Sequence, residues 1–362
     1  MSIALKELRR RAGRFGPVLV AMTLLVILLV VLGAFLDGLA SSQTGVLRAQ
    51  GDRLIVVADD ASLDPTRSAL EPAVADDLAA IEDVQEVGWL SQINATASVV
   101  NEADDTLIED IVLVGHDLGT ETVPAPGASG EAVVDNQLAA LTGVGVGDEI
   151  LVGPEQAPLT VTELVDDVSA GGPSVWISTD AWLDLAATID PTSPPTRQVA
   201  VVETSSSLDG TASEIVDAVG GVEVATVDEV IAADDVVTQQ SGTFQGIIGV
   251  TFVVTLLVVA LFFVLLTIER IRLYAVMKAI GARSRDLIGG LAAQAVVIAT
   301  TALVLGIGIS LALLQFVPPD LPLVVVPSRL VVLAVATIVV AVLGALGTLR
   351  RILRIDPASA IG

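Results

Sequence analysis

Four apolar stretches without a charged residue limit what this 362-residue chain can fold into. They cover residues 15–36, 247–268, 287–319 and 330–349. A helix as long as the first of them spans about 33 Å, which is enough to cross the roughly 30 Å hydrocarbon core of a bilayer. We therefore predict transmembrane helices over residues 16–40, 247–268, 287–316 and 329–349. A cleaved signal peptide is the alternative for the first stretch, but its apolar region is longer than such a segment needs.

The charged residues are unequally distributed around these stretches. Residues 41–245 contain 4 basic and 37 acidic side chains, whereas the rest of the chain contains 14 basic and 6 acidic ones. Short basic flanks mark the cytoplasmic side of membrane helices, and here they are residues 1–15, 269–286 and 350–362. We therefore predict a multi-pass protein of the cytoplasmic (inner) membrane with both termini in the cytoplasm. Residues 41–228 and the loop 317–328 are placed outside.

Residues 1–15 are predicted to form a cytoplasmic amphipathic helix. Ala4, Leu8, Ala12 and Phe15 recur at helical spacing, and the basic residues lie off this stripe. Such a helix can lie at the membrane surface with its arginines near anionic lipid headgroups. The alternative is a basic flank whose only role is to orient the first span.

The large segment 41–228 mixes strand and helix signals, which indicates an extracytoplasmic α+β domain. β-branched runs bounded by turn residues predict strands, and these are Arg53–Ala58, Ile111–Gly115, Glu131–Val134, Glu149–Val152, Leu159–Leu164, Ser174–Ile177 and Gln198–Val202. Helices are predicted over Pro72–Ile81, Thr179–Ala187 and Leu208–Val219. Two helix–strand units recur, over Pro72–Val87 and Leu208–Val224. The polar residues 229–246 are predicted to form a stalk helix that leads into the second span.

The composition excludes several classes of function. The chain has no Cys and one His, His116, so thiolate metal sites and an ordinary Ser–His–Asp site are not expected. A net charge of −25 argues against binding nucleic acid. Neither of the two lysines stands in a phosphate-binding loop, so this chain is not expected to bind ATP in that way. Gly145-Val146-Gly147-Asp148 matches a GxGD protease signature but is interpreted as a tight turn.

Two segments resemble the FtsX/MacB-type permease family of ABC transporters. The first is Glu269-Arg270-Ile-Arg-Leu-Tyr274-Ala-Val-Met-Lys278-Ala-Ile-Gly281-Ala282, and the second is Leu353-Arg-Ile-Asp-Pro-Ala358. The runs Glu131–Asp135, Gly145–Glu149 and Leu159–Thr162 are similar to that family's extracytoplasmic domain. One span, a large outer domain and three further spans also match its plan, with the HrtB/DevC/MacB-like branch the most similar in size.

The resemblance implies four transmembrane helices with a MacB-type outer domain, in the plan called type VII. It implies no enzymatic activity in this chain and no cofactor, because ATP would be bound and hydrolysed by a separate ABC ATPase subunit. A second permease chain is expected beside this one, with a homodimer as the expectation. The segment 269–286 would couple to the ATPase through Glu269, Arg270, Tyr274, Lys278, Gly281, Ala282 and Arg285.

The expected function is efflux or extraction of a lipophilic or peptide-like substrate by mechanotransmission, in which ATPase motion moves the outer domain. An FtsX-like subunit that signals to an outer partner such as a cell-wall hydrolase is the first alternative, and a haem exporter is the second. Met22 is the only His, Met, Tyr or Cys deep inside a predicted span, so it is a candidate substrate ligand. Asp37, at the end of the first span, is a candidate outer-cleft residue. The substrate itself stays open.

Overall fold

The computed structural model describes residues 12–100, 106–269, 284–317, 321 and 323–347. Its contacts divide the chain into two compact units. The mixed unit is Leu39–Ser241, and the helical unit holds the helices up to Gly38 and from Gly242 onward. Residues 1–11 of the predicted amphipathic helix, residues 270–283 of the 269–286 connection and the tail 350–362 lie outside the described residues. Residues 12–15 belong to the same helix as the first span.

Nine helices and nine strands occur in the described part of the chain. The helices are α1 (Ala12–Arg48), α2 (Ala73–Ala79), α3 (Asn136–Thr142), α4 (Thr179–Ile189), α5 (Leu208–Ala218), α6 (Val227–Ala233), α7 (Asp235–Glu269), α8 (Ser284–Leu314) and α9 (Pro327–Gly347). The strands are β1 (Leu54–Ala58), β2 (Val84–Val100), β3 (Thr106–His116), β4 (Glu131–Asp135), β5 (Glu149–Val152), β6 (Ala157–Val165), β7 (Ser174–Ser178), β8 (Val199–Thr204) and β9 (Val222–Thr226).

Four of these helices, α1, α7, α8 and α9, are long and apolar enough to cross a membrane. The apolar segments that meet this criterion are Gly16–Arg48, Gln245–Phe262, Ala292–Leu314 and Pro327–Gly344. The prediction of four membrane-length helices combined with an α+β domain is confirmed. Helices of this length and composition are typical of membrane-spanning proteins.

One half of the mixed unit is a four-stranded antiparallel sheet in the order β2-β8-β1-β9. The connections β1-α2-β2 and β8-α5-β9 are two split β-α-β units of a ferredoxin-like arrangement. They correspond to the two helix–strand units that recur in the sequence. Buried side chains from the strands and both helices form its core, including Ile55, Val201, Leu78 and Ile215.

The other half is inserted between β2 and β8, and its strand pairings close on themselves. β3 pairs with β7, β7 with β4, β4 with β6, β6 with β5, β5 with β2, and β2 with β3 again. Closure removes the exposed sheet edges that would otherwise promote aggregation. Its separate core contains Leu113, Leu138, Ile150 and Trp182.

All seven predicted strands are present, and the two helix–strand units end in β2 and β9 as predicted. The greater part of β2 and the short helix α3 were not predicted. β2 is 17 residues long, although only its first residues, up to Val87, fall within a predicted helix–strand unit. Its sequence is interrupted by Gly88 and by polar residues, which have low strand propensity. Pairing on both sides overrides that propensity. The short helix α3 also had a weak sequence signal.

The stalk prediction is corrected by the structure. Residues 229–246 do not form one helix, because α6 ends at Ala233 and α7 begins at Asp235. Asp234 between them has extended backbone angles, φ −64° and ψ 113°. Thr226 and Glu229 form a capping box that starts α6 earlier than predicted. Adjacent Asp residues favour helix ends over helix interiors, which explains the break.

The GxGD sequence forms the expected turn. Gly147 has φ +95°, a conformation that glycine adopts without steric cost. The Gly145 amide donates to Asp148 Oδ2 at 2.8 Å, and the Asp148 amide donates to the Gly145 carbonyl at 3.2 Å. The carboxyl of Asp148 is therefore used to hold the turn.

Candidate functional site

A cleft of about 490 Å³ lies within the helical unit, between α1, α7 and α9. Most of its wall is aliphatic or aromatic, with Leu29 and Val30 from α1, Phe252 from α7, and Leu330 and Leu333 from α9. On α1 the lining residues recur every three or four positions, which places them on one face of the helix. This volume is within the range of roughly 300–1,000 Å³ that is typical of small-molecule sites.

An ion pair forms the polar part of this cleft. Arg329 Nη2 donates to Asp37 Oδ1 at 2.8 Å. The two side chains differ in accessibility, with 11% of Asp37 exposed against 44% of Arg329. Charged groups at membrane depth are costly unless they are paired, so each residue explains the presence of the other. Gln245 and Ser328 are the remaining polar residues of the lining.

Local sequence positions Arg329 for this contact. Pro327 begins α9, a position where its fixed φ and missing N–H cost nothing, and the Arg329 amide donates to the Val326 carbonyl at 3.1 Å. Opposite, the arginine stem passes close to Gly33 of α1, where an added Cβ would lie in ordinary van der Waals contact with Arg329 Cδ at 3.5 Å. The stem therefore lies along α1 while its guanidinium reaches Asp37.

A second feature, which we call the α1 clamp, lies in the mixed unit and joins the end of α1 to the loop 166–172. Arg48 donates from Nη1 and Nη2 to the two carboxylate oxygens of Asp167, at 2.9 and 2.7 Å. Ser41 Oγ donates to the same carboxylate at 2.8 Å. The hydrogen bonds from Arg48, opposed by partial burial, hold the pKa of Asp167 below its usual value.

Gly45 makes the contact of the α1 clamp that depends most on residue size. A Cβ at this position would lie 2.6 Å from both the backbone N and O of Ser169. The Gly171 amide donates to the Ser42 carbonyl at 2.6 Å, one turn earlier on α1. The helix and the loop thus meet backbone to backbone, which only glycine permits.

The loop of the clamp is itself anchored on a buried carboxylate. Asp135 caps α3 by accepting from the Gln137 amide at 2.9 Å, and its other oxygen accepts from the Ser169 hydroxyl. Burial raises the pKa of Asp135, and these hydrogen bonds oppose the rise. Ser174 Oγ donates to the Val168 carbonyl at 2.8 Å and closes the loop on the other side.

Of the predicted substrate residues, the structure places Asp37 in the cleft and leaves Met22 out of its lining. Met22 is buried in α1, with 1% of its surface exposed. The two residues are 15 positions apart on one helix, which corresponds to about 22 Å. They therefore do not form one ligand set. Sequence reasoning missed Arg329, although a lone arginine at the start of an apolar span should have prompted a search for an acidic partner.

Most of the predicted ATPase-coupling residues lie outside the described residues, namely Arg270, Tyr274, Lys278, Gly281 and Ala282. Glu269 is the last residue of α7, and Arg285 is the second residue of α8. Their assignment to coupling stays a prediction.

Comparison with known families identifies part of the chain. Residues 246–357 match the family of the FtsX-like permease C-terminal domain. This part of the chain is therefore similar to the C-terminal domain of FtsX-like permeases. It includes most of α7 and all of α8 and α9, together with the basic connection between α7 and α8. The resemblance inferred from residues 269–282 and 353–358 is confirmed by this match.

Proteins that match parts of the chain are permeases by name. An uncharacterized ABC transporter permease of Mycobacterium tuberculosis is 31% identical over 244 residues, which is 66% of this chain and 63% of that protein. A Staphylococcus haemolyticus protein named for hemin transport, HrtB, is 31% identical over 111 residues, covering 31% of this chain and 32% of its own. The chain thus spans less than two thirds of the relatives it matches.

Two solved structures show weaker similarity. The periplasmic region of MacB from Actinobacillus actinomycetemcomitans aligns with a TM-score of 0.38 at 10% identity, over 50% of this chain and 92% of that one. The extracellular domain of the transporter YknZ aligns with a TM-score of 0.34 at 16% identity, over 48% and 98%.

Proposed function

We propose that this chain is the membrane-spanning permease subunit of an ABC transporter of the FtsX/MacB type, driven by a separate ATPase. Its action would be to export or extract a lipophilic or peptide-like substrate at the outer side of the cytoplasmic membrane. The observation that carries the proposal is the FtsX-like domain over residues 246–357. The relatives named as ABC transporter permeases support it.

The ATPase is proposed to dock on the connection between α7 and α8. Glu269 ends one apolar helix and Arg285 lies in the first turn of the next. If both helices cross the membrane, the short connection between them keeps residues 269 and 284 on the same side of the membrane. Residues 269–286, which include that connection, contain five of the 18 basic residues of the chain. This positive charge would complement an acidic docking surface.

Transmission from the membrane to the mixed unit is proposed to run mainly through α1. This 37-residue helix supplies both the wall of the cleft and the helical side of the α1 clamp. The second connection is interrupted at Asp234, where the backbone is extended. A continuous helix transmits a tilt as rigid-body motion, whereas a break between helices can bend.

Sidedness is testable because the natural chain has no cysteine. The proposal places the mixed unit outside the cytoplasmic membrane and both termini inside. A single cysteine introduced as Glu121→Cys, at an exposed position of the mixed unit, should react with a membrane-impermeant maleimide in intact cells. The Ser2→Cys variant should react only after lysis. Labelling of Ser2→Cys alone in intact cells would contradict the proposal.

The test of the function is reconstitution with the ATPase subunit that co-purifies with the chain. Arg270→Glu, Lys278→Glu and Arg285→Glu are expected to uncouple ATP hydrolysis from substrate movement while membrane insertion is retained. Arg67→Glu, an exposed charge reversal in the mixed unit, is the matched control. Normal coupling in all three test variants, or ATP hydrolysis by the purified chain alone, would contradict the assignment.

The same purification separates the alternatives. A bound lipophilic molecule supports transport, and a stoichiometric cell-wall hydrolase would instead favour the signalling alternative. A second permease chain in the complex would support the proposed dimer. For haem export, the 22 Å separation of Met22 and Asp37 along α1 gives no support to a site built from these two residues.

A further inference from the structure

We propose that the cleft between α1, α7 and α9 binds an acidic amphiphile with a single acyl chain, whose oxyanion contacts Arg329 and whose chain lies along the apolar wall. This inference rests on the proposed function to the extent that the bound amphiphile is the transported substrate. Its test measures binding alone, so that failure of the site and failure of ATP-driven transport can be told apart.

The sign of the ligand charge follows from the unequal exposure of the ion pair. Asp37 is 11% exposed and already accepts from Arg329, so little of its carboxylate can reach a ligand. Arg329 remains 44% exposed and contacts Asp37 through Nη2. A guanidinium carries five N–H donors in a planar fork, which can serve two oxyanions from different edges. A carboxylate or phosphate monoester is therefore favoured over an ammonium group.

The shape and lining of the cleft indicate a single chain. From Leu29 to Asp37 the lining extends over eight residues of α1, or about 12 Å. Phe252 and Leu333, from the other two helices, face the same space. The ion pair lies at the Asp37 end of this wall, so the cleft has one polar end and one apolar end. This arrangement matches a ligand in which a charged headgroup is joined to one acyl chain. A bare phosphate ion would leave the apolar wall uncovered.

The experiment uses the full chain in nanodiscs of zwitterionic lipid. Binding of radiolabelled dodecanoate is measured, with empty nanodiscs as the background. Octanoate, decanoate, dodecanol, dodecyltrimethylammonium and inorganic phosphate are the competitors. Affinity is expected to rise about fourfold for each methylene buried between octanoate and dodecanoate. The cationic amphiphile and inorganic phosphate are expected not to compete.

Two variants separate the headgroup contact from the tail contact. Arg329→Gln is expected to weaken dodecanoate binding at least tenfold, the usual loss for a hydrogen bond to a charged group, and to leave dodecanol binding unchanged. Ala336→Phe fills the lining without altering charge, and should weaken both ligands. Arg67→Gln, at an exposed position of the mixed unit, is the control and should change neither. If Arg329→Gln fails to fold, the double variant Asp37→Asn/Arg329→Gln removes both charges and should lose dodecanoate but retain dodecanol.

Three results would overturn the inference: equal competition by dodecyltrimethylammonium, displacement of dodecanoate by inorganic phosphate alone, or unchanged dodecanoate binding in Arg329→Gln. If dodecanoate binds as expected but the ATPase complex transports nothing, the site stands and the proposed function fails. If the complex transports a substrate while dodecanoate does not bind, the proposed function stands and this inference fails.

Discussion

Replacing Gly45 by alanine tests whether the α1 clamp depends on direct backbone contact. An added Cβ would lie 2.6 Å from the Ser169 backbone N and O and 2.8 Å from the Val168 carbonyl carbon. Ordinary van der Waals contact begins near 3.4 Å, so helix and loop would have to separate by about 0.8 Å. Because the obstructing atoms are backbone, no side-chain rotation relieves the clash.

The cost of the clash exceeds the gain in helix propensity, so Gly45→Ala should lower the free energy of unfolding. Overpacking of this kind costs about 1–3 kcal/mol, whereas Gly→Ala in a helix gains about 1 kcal/mol. With two backbone atoms at 2.6 Å, the cost should be in the upper part of its range, which leaves a net loss of about 1–2 kcal/mol. For a unit of this size the apparent Tm should fall by about 2–8 °C.

Tryptophan fluorescence is a selective assay for this change. The three tryptophans of the chain, Trp89, Trp176 and Trp182, all lie in the mixed unit. Thermal scans of the full chain in detergent, at one fixed rate because membrane proteins often unfold irreversibly, therefore report the mixed unit. Gly16→Ala lies on the same helix with no atom within 4 Å of the added Cβ, and should leave this transition in place.

The Arg48–Asp167 pair provides a second comparison. Its side chains are 36% and 60% exposed, and exposed ion pairs contribute about 0–1 kcal/mol. Arg48→Gln should therefore lower the Tm less than Gly45→Ala does. A Gly45→Ala protein that melts at or above the wild-type temperature would refute the backbone contact as the source of the clamp's stability.

Three further predictions concern other parts of the chain. Gly306→Val should disrupt the packing of α8 on α1, because a Cβ at this position would lie 2.5 Å from Val26 Cγ1. We expect a loss of about 1–3 kcal/mol in stability. The measurement is the aggregation temperature of the detergent-solubilised chain, which should fall. His116 is buried and its pKa is held below 6.5 by desolvation, so its contribution to stability is complete above pH 6.5 and is lost as the pH falls through the lowered value. Asp135→Ala removes the α3 cap and the acceptor of the Ser169 hydroxyl, and should cost about 2–4 kcal/mol in the tryptophan-detected transition.

Each of these has a control and a contrary outcome. Gly308→Val, at a position with no atom within 4 Å of the added Cβ, should aggregate at the wild-type temperature, and a matching loss would show that valine is harmful anywhere in α8. For His116, the comparison is the Tm difference between wild type and His116→Phe from about pH 8 to about pH 5; a constant difference would contradict the titration. Asp135→Asn keeps an acceptor oxygen and should lose less than Asp135→Ala.

Features that depend on residue types within a short segment could be predicted from the sequence. The four apolar helices, the seven β-branched strands and the turn at Gly147 follow from hydrophobicity, strand propensity and glycine φ. The basic connection 269–286 and the tail motif at 353–358 identified a permease family, which the match over 246–357 bears out. None of these required knowledge of which segments meet in space.

Contacts between segments that are distant in sequence, such as strand pairs and ion pairs, could not be predicted in this way. β2 has a weak strand sequence yet pairs with β3, β5 and β8, because strand stability depends on its neighbours as much as on its own residues. Arg329 is a single basic residue before the last apolar stretch, and no role for it followed from the sequence alone. Its partner Asp37 lies almost 300 positions earlier, and no sequence spacing relates the two.

Local residue patterns thus specify the number of apolar helices, the α+β character of the segment between the first two, and the similarity of the last three to a permease family. The closure of β2 to β7 into a ring, the contact of Gly45 with the Ser169 backbone, and the shared cleft of Asp37 and Arg329 are visible only in the folded chain. The physical reason is that hydrophobicity and propensity act over a few residues, whereas pairing of desolvated charges and close backbone contact depend on positions that only the folded chain brings together.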